Sequence, residues 1–122
     1  KAESRGLGDV YKRQALCYSF YPIDLHTKDG VVPKHLKRGV VPTIPRGALI
    51  PKESTNLMVA GRCLSSDRLA NSAARVQASC MGMGQAAACT AVLAAKSSIT
   101  PKEVPLGEIH SLLREHGAIV PA

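Results

Sequence analysis

The sequence has few aromatic residues, with no Trp, one Phe and three Tyr among 122 residues, so aromatic side chains can supply little of a core. Its four cysteines form no C-x-x-C pair, which excludes the usual spacing of zinc and redox sites and favours buried free thiols: Cys17, Cys63, Cys80 and Cys89. No apolar run approaches the roughly 20 residues that span a bilayer, and the basic N-terminus lacks the apolar stretch of a secretory signal. We therefore expect a cytoplasmic protein with no metal site and no membrane partner.

The composition predicts a folded domain with an excess of positive charge. Hydrophobic residues make up 45% of the chain, which is typical of a globular protein rather than a disordered one. The formal net charge of +7 suits a nucleic-acid or phosphate partner, but the basic residues are scattered and are not interleaved with aromatic residues in the pattern typical of nucleic-acid sites. A small basic binding module, with a positive face from Lys34 to Arg46, is therefore the alternative hypothesis. We favour an exposed loop and no nucleic-acid partner for the cluster of Lys34, His35, Lys37 and Arg38.

Residues 1–14, KAESRGLGDVYKRQ, differ from the rest of the chain. They mix charges and glycines without helical or strand periodicity, which predicts a disordered arm. The letters DVYKRQ resemble the translation of a sequencing-library adaptor, so we expect a non-native segment and a native sequence that begins near Ala15. Without its four basic and two acidic residues the formal charge falls from +7 to +5. We also expect the chain to be the C-terminal part of a larger protein.

Short strands and one long loop are predicted in the first half. The alternation in LCYSFYPIDLH, 16–26, indicates a strand in which Pro22 requires an edge or a bulge. Residues 27–47 contain three prolines and three glycines, which predicts a long loop with at most one short extended piece. The apolar run NLMVA, 56–60, predicts a short buried strand.

Two helices are predicted in the second half. Ser79 is the expected N-cap of an Ala-rich helix that runs to about Lys96, before the stop at Pro101. The second helix, about 105–116, is amphipathic, begins at Pro105 and is ended by Gly117. Its expected apolar face consists of Leu106, Ile109, Leu112 and Leu113.

The stretch from 56 to 88 combines an apolar segment, a polar turn and a helix start rich in Gly and Ala. In α/β sheets, ligands bind beyond the carboxyl ends of strands, at such turns. Small residues there let a cofactor approach closely, and the amide groups and dipole of the helix start favour an anion or a carbonyl oxygen. Gly82, Gly84 and the alanines equally suit tight packing of a helix against a sheet, and the spacing alone does not separate the two interpretations.

Several ordered motifs resemble one protein family. They are VAGRC at 59–63, SAARV at 72–76 and CMGMGQAA at 80–87, with YPIDLH and IPRGALIPK upstream. This order is similar to the C-terminal flavin-binding segment of FAD-dependent oxidoreductases of the glutathione-reductase-like superfamily, related to fumarate reductase flavoproteins. The resemblance covers about residues 18–120. It implies an α/β fold: the C-terminal fragment of a Rossmann-like FAD-binding domain plus a piece of a substrate domain.

The resemblance also implies roles for particular residues. Arg75 is an expected catalytic residue, as a fixed positive charge near the cofactor or substrate. His26 is the second expected catalytic residue; its place at the end of the predicted strand and its imidazole, rather than the resemblance, suggest proton transfer. For His26 a surface or structural role is favoured over proton transfer, and we expect His110 and His116 to be solvated. Cys63 is expected to be packed rather than reactive. The implied FAD-binding residues are Ala60, Gly61, Arg62, Ser79, Cys80, Gly82, Gly84 and Gln85.

The chain departs from the family pattern in two ways. Ala88 stands where the family has Gly, which adds one methyl group to an expected helix–sheet contact. The fingerprint G-x-G-x-x-G, which holds the pyrophosphate of FAD, is absent. We therefore expect residues 15–50 to end a substrate domain and residues 51–122 to close an FAD-binding domain. The expected partners are a missing N-terminal portion of the same enzyme and a small organic substrate.

Overall fold

The computed structural model describes residues 14–121. In this part the chain forms short strands, three α-helices and two 3-10 helices, at Arg46–Leu49 and Gly61–Cys63. The strands are β1 (Ala15–Tyr18), β2 (Ile23–Thr27), β3 (Gly30–Lys34) and β4 (Thr43–Pro45). The α-helices are α1 (Arg68–Ala74), α2 (Gln77–Ser97) and α3 (Leu106–Glu115). Mixed helices and small sheets agree with an α/β fold.

The single strand predicted for residues 16–26 is wrong, because the chain turns in its middle. Ser19 donates its backbone N–H to the carbonyl of Pro42, and Tyr21 donates to the carbonyl of Ser19. This turn separates β1, which ends at Tyr18, from β2, which begins at Ile23 directly after Pro22. β1 pairs antiparallel with β4, and β2 pairs antiparallel with β3, in two separate two-stranded sheets.

The long loop predicted for residues 27–47 is also wrong, since it contains β3 and β4. Lys28 and Asp29 form a two-residue turn between Thr27 and Gly30, which face each other in the β2–β3 register. Gly30 has φ +114°, a conformation that glycine adopts readily. The letters K-D-G between β-favouring residues are the signal that indicates this hairpin.

The predicted strand at 56–60 is wrong as well. A strand needs a neighbouring strand, and among the described residues this segment makes one backbone hydrogen bond outside regular elements, from Val59 N–H to the carbonyl of Leu49. Leu57 is 52% exposed, so the segment is not buried throughout. It is an extended connection that delivers the chain to Gly61.

Helix α1 replaces the polar turn expected before the Ala-rich helix. Asp67 is its N-cap, and its carboxylate accepts the N–H of Ala70 at 2.8 Å. Aspartate is a strong N-cap residue because its side-chain oxygen satisfies a free amide of the first turn. The signal was present in the sequence as S-S-D before a run of helix formers.

Helix α2 begins three residues earlier than predicted, with Val76 rather than Ser79 as N-cap. Ser79 cannot cap it because its hydroxyl is buried and lies 3.0 Å from the hydroxyl of Ser19. By length and composition α2 could cross a membrane, which corrects the expectation that no segment is long enough. Core helices of soluble proteins can be equally long and apolar, and α2 packs against β1 and α3. That the protein has no membrane partner stays a prediction.

Helix α3 is confirmed, with Pro105 as N-cap and Gly117, at φ +75°, just after its end. Ile109 and Leu113 are buried, and Leu106 and Leu112 pack against the same core. That core joins residues on both sides of position 50. Its fully buried side chains include Leu16, Leu49, Met83, Val104, Ile109 and Leu113. The domain boundary at residue 50 stays a prediction, and the expected arm at 1–14 lies outside the described residues except for Gln14.

Candidate functional site

The turn at Gly61 and Arg62 lies against the first turn of α2. Gly61 has φ +67°, and a Cβ atom added to it would lie 3.6 Å from Cβ of Cys80. Arg62 is exposed, and its Nε donates to the backbone carbonyl of Arg75 at 3.1 Å. The sulfur of Cys80 lies 3.5 Å from the same carbonyl. Residues far apart in sequence are therefore held together at one end of α2.

The start of α2 has no side-chain cap. Cys80 is the first residue whose N–H bonds within the helix, to the carbonyl of Val76 at 3.0 Å. The amides of Gln77, Ala78 and Ser79 precede it, and an α-helix leaves such amides without partners inside the helix. Gln77 and Ala78 are exposed. A shallow depression of about 580 Å³ opens here and is lined by Arg62, Gln77, Cys80 and Met81.

Arg75 and His26, the two expected catalytic residues, contact the same carboxylate. Oδ2 of Asp24 lies 3.4 Å from a terminal nitrogen of Arg75 and 3.4 Å from Nε2 of His26. Ser72 supports this arrangement, because its hydroxyl accepts the backbone N–H of Asp24 at 3.2 Å. Sequence reasoning missed Asp24, although alternation along a strand puts it on the same face as His26.

The other expected FAD-binding residues point in different directions. Ser79 is bonded to Ser19, and a Cβ on Gly82 would lie 3.5 Å from Cβ of Cys17, so both face β1. The side-chain amide of Gln85 donates to the carbonyl of His116 at 3.3 Å. A Cβ on Gly84 would meet nothing within 4 Å. Ala60, Gly61, Arg62 and Cys80 are thus the members that gather at the start of α2.

The cysteines are all unpaired thiols, in different environments. Cys17 and Cys89 are buried, and burial raises the pKa of both thiols, that of Cys17 to about 11. Cys63 is exposed, which corrects the expectation that it is packed. The reason is its place at the end of a surface 3-10 helix. Among the described residues, no group of three His, Cys, Asp or Glu side chains could hold a metal ion.

Three further expectations concern His110, His116 and Ala88. His116 is exposed, but the prediction for His110 is wrong, because its Nε2 lies 2.8 Å from the carbonyl of Ala15 and anchors α3 to β1. Ala88 is exposed, so its methyl group crowds no helix–sheet contact.

The positive face expected for a basic binding module is not continuous. Lys34, His35, Lys37 and Arg38 are exposed. Arg46, the far end of that face, instead donates a hydrogen bond to the carbonyl of Val104 and is half-buried. The family comparison below favours the flavin interpretation over this one.

Comparison with known proteins identifies the family. No curated protein and no solved structure matches the chain. A family model described as FAD dependent oxidoreductase matches residues 7–113, which is most of the chain. The chain therefore belongs to the FAD dependent oxidoreductase family, whose members are oxidoreductases with FAD as cofactor.

Proposed function

We propose that the turn at 60–62 and the first turn of α2 form one edge of the flavin site, in an enzyme that transfers hydride or electrons between FAD and an organic substrate. The observation that carries this proposal is the uncapped start of a 21-residue helix beside an exposed arginine, Arg62, and a left-handed glycine, Gly61. Family membership supplies the cofactor. The start of α2 offers the cofactor several donors together, namely the first amides of the helix and the guanidinium of Arg62.

The residues at this edge fit the polar rim of an isoalloxazine ring. Its N1 and C2 carbonyl carry negative charge when the ring is reduced, and they need hydrogen-bond donors. Gln77 and Ala78 offer backbone amides at the positive end of the helix dipole, and Arg62 offers a fixed cation. Gly61 leaves the backbone close to Cys80 without a side chain between them. The fit concerns the ring and not the pyrophosphate.

FAD, when bound, supplies the two-electron redox chemistry. The amides of α2 and the guanidinium of Arg62 lower the free energy of negative charge at the ring edge, because fixed dipoles need no reorganisation when the charge develops. Cys80 packs under the turn and keeps Gly61 and α2 together. His26, with 64% of its side chain exposed and with Asp24 beside Nε2, is the residue that we propose for proton transfer.

We further propose a Rossmann-like FAD-binding domain of the glutathione-reductase-like superfamily, related to fumarate reductase flavoproteins. The 122 residues contain no G-x-G-x-x-G, so an N-terminal portion of the same enzyme would supply the pyrophosphate site. The chain alone is then inactive. A cytoplasmic location and a small organic substrate complete the proposal.

The ring edge can be tested by NMR with the ¹⁵N-labelled chain. Lumiflavin serves as the ring without phosphate, and ADP serves as the phosphate-bearing half without the ring. We expect lumiflavin to shift the amide signals of residues 60–62 and 77–80, and Arg62→Gln to weaken its binding. Arg38→Gln removes an equally exposed charge from the basic loop and should change nothing. Shifts confined to 34–38, or caused equally by ADP, would contradict the proposed site.

The absorption spectrum of the purified chain tests the proposal that another portion of the enzyme is needed to hold FAD. The purified chain should show no flavin absorption bands, because a ring edge alone provides too little contact to retain FAD through purification. A yellow preparation would overturn this part of the proposal and leave the ring-edge assignment intact.

A further inference from the structure

The carboxylate of Asp24 lies between the two residues expected to be catalytic. Its Oδ2 contacts Arg75 and His26 at 3.4 Å each, and the Asp24 side chain is 23% exposed. The backbone of Asp24 is fixed through Ser72, whose hydroxyl in turn donates to the carbonyl of Leu69 at 2.7 Å. Ser72 is buried. The backbone of Asp24, on strand β2, is therefore attached to α1 through Ser72.

Arg62 and Arg75 both lie near the start of α2, but their guanidinium groups lie in different places. Arg62 lines the depression at the helix start, and among the described residues its hydrogen bond is made by Nε, to the carbonyl of Arg75. The guanidinium of Arg75 does not line that depression and turns to Asp24 on β2. The backbone carbonyl of Arg75 thus binds Arg62 in the turn at 60–62. Its guanidinium instead binds Asp24 of the β2–β3 hairpin.

We propose that Asp24 is a positioning residue, the counter-ion that holds the guanidinium of Arg75 toward β2 and leaves Arg62 as the cation beside the first turn of α2. The first part of this statement concerns the chain alone. The second part rests on the proposed flavin site. Among the described residues, His26 also contacts the carboxylate, and Arg68 donates to the backbone carbonyl of His26 at 3.1 Å.

The proposal predicts a particular pattern of charge at the helix start. The charges of Asp24 and Arg75 cancel, whereas the charge of Arg62 has no carboxylate within 4.0 Å among the described residues. Replacing Asp24 by Asn keeps its shape and its backbone bond to Ser72, since that bond uses the main-chain N–H. The substitution should therefore release Arg75 without disturbing the hairpin.

Chemical modification of arginines tests the first part without any flavin. The folded chain is treated with phenylglyoxal, and the rate at each arginine is followed by peptide mass spectrometry. We expect Asp24→Asn to raise the rate at Arg75 about two- to fivefold, the range that partly exposed ion pairs support. Asp24→Glu, which keeps the charge, should restore most of the protection. The rate at Arg62 should not change.

Arg46 is the internal control for folding, because it is half-buried and bonded to Val104. If its rate rises with that of Arg75, Asp24→Asn has loosened the fold, and Asp24→Ser is used as the second variant. An unchanged rate at Arg75 in a folded variant that lacks the carboxylate would overturn the proposal.

The second part is tested by the midpoint potential of the flavin-loaded full-length enzyme. Asp24→Asn should raise the potential, because an uncompensated cation then stabilises the reduced flavin, and Arg75→Gln should lower it. The double variant should return to the wild-type value because the two charges cancel. Arg62→Gln should lower the midpoint potential, and adding Asp24→Asn and Arg75→Gln to it should not restore the wild-type value. Failure of this pattern, with phenylglyoxal protection intact, would refute the flavin site and not the counter-ion.

Discussion

At the scale of single residues, burial decides which thiol reacts. Cys63 is exposed, whereas Cys17 is 7% exposed and its pKa is raised by burial to about 11. Because the thiolate is the nucleophile, Cys17 is almost wholly unreactive at neutral pH. We expect iodoacetamide to alkylate Cys63 first and Cys17 much more slowly, as measured by mass spectrometry over time. In denaturant all four cysteines should react alike; equal rates in the folded chain would contradict the burial of Cys17.

The hydroxyls of Ser19 and Ser79 form a buried pair 3.0 Å apart. Either serine changed to Ala leaves the other hydroxyl without its partner, which costs about 1–3 kcal/mol of unfolding free energy. The double variant should lose less than the sum of the two single variants, because neither hydroxyl is then left unsatisfied. Urea unfolding of the three variants measures this coupling. Additive losses would show that the two hydroxyls do not act as a pair.

At the scale of elements, glycines in α2 differ from the glycine in the turn before it. Gly84 lies inside the helix, and a Cβ there meets nothing within 4 Å. Gly84→Ala should therefore stabilise the chain by about 0.5–1 kcal/mol through helix propensity. Gly61→Ala is the matched comparison and should destabilise it by about 1–2 kcal/mol, since Gly61 has φ +67°. Thermal and urea unfolding measure the stability change of each variant. A loss of stability in Gly84→Ala would mean that other atoms fill the space beside Gly84.

The connection from α2 to α3 contains a pH-dependent contact. The carboxylate of Glu103 accepts the N–H of Thr100 at 2.8 Å and its hydroxyl at 2.7 Å, and these bonds lower the pKa of Glu103. The stabilisation is complete above the pKa of an unfolded glutamate, about 4.3. It is lost as the pH falls through the lower folded value.

In Glu103→Gln, the free energy of unfolding should fall less than in the wild type as the pH is lowered below the pKa of an unfolded glutamate. Unfolding free energies of both proteins, measured from pH 7 down to about pH 3, would reveal the difference. Thr100→Val removes the hydroxyl donor and keeps the amide, so it should remove a part of the effect. Parallel curves for wild type and Glu103→Gln would show that the contact contributes nothing to folding.

At the scale of the whole molecule, one core joins β1 and β4 of the first half to the helices of the second. Met83 of α2 is fully buried in that core, and Met81, two residues earlier, is 70% exposed. Met83→Ala should cost about 2–5 kcal/mol, and Met81→Ala should stay within about 0.5 kcal/mol. Both are measured by urea unfolding, followed by circular dichroism. Similar losses for the two variants would contradict the orientation of α2.

The sequence by itself determined the helices better than the strands. The spacing of Leu106, Ile109, Leu112 and Leu113 fixed the buried face of α3, and Pro105 and Gly117 fixed its ends, because these signals act within a few residues. The Ala-rich composition of 80–95 likewise indicated α2. The ordered motifs around Gly61 and Cys80 indicated the FAD dependent oxidoreductase family.

Only the tertiary structure decided which residues meet. The break between β1 and β2 depends on a bond from Ser19 to Pro42, and the N-cap of α2 depends on the partner that Ser79 finds in Ser19. The pairing of Asp24 with Arg75 joins residues 51 positions apart. Local patterns carry no information on such contacts, since these residues acquire their partners only when distant segments of the chain pack against one another.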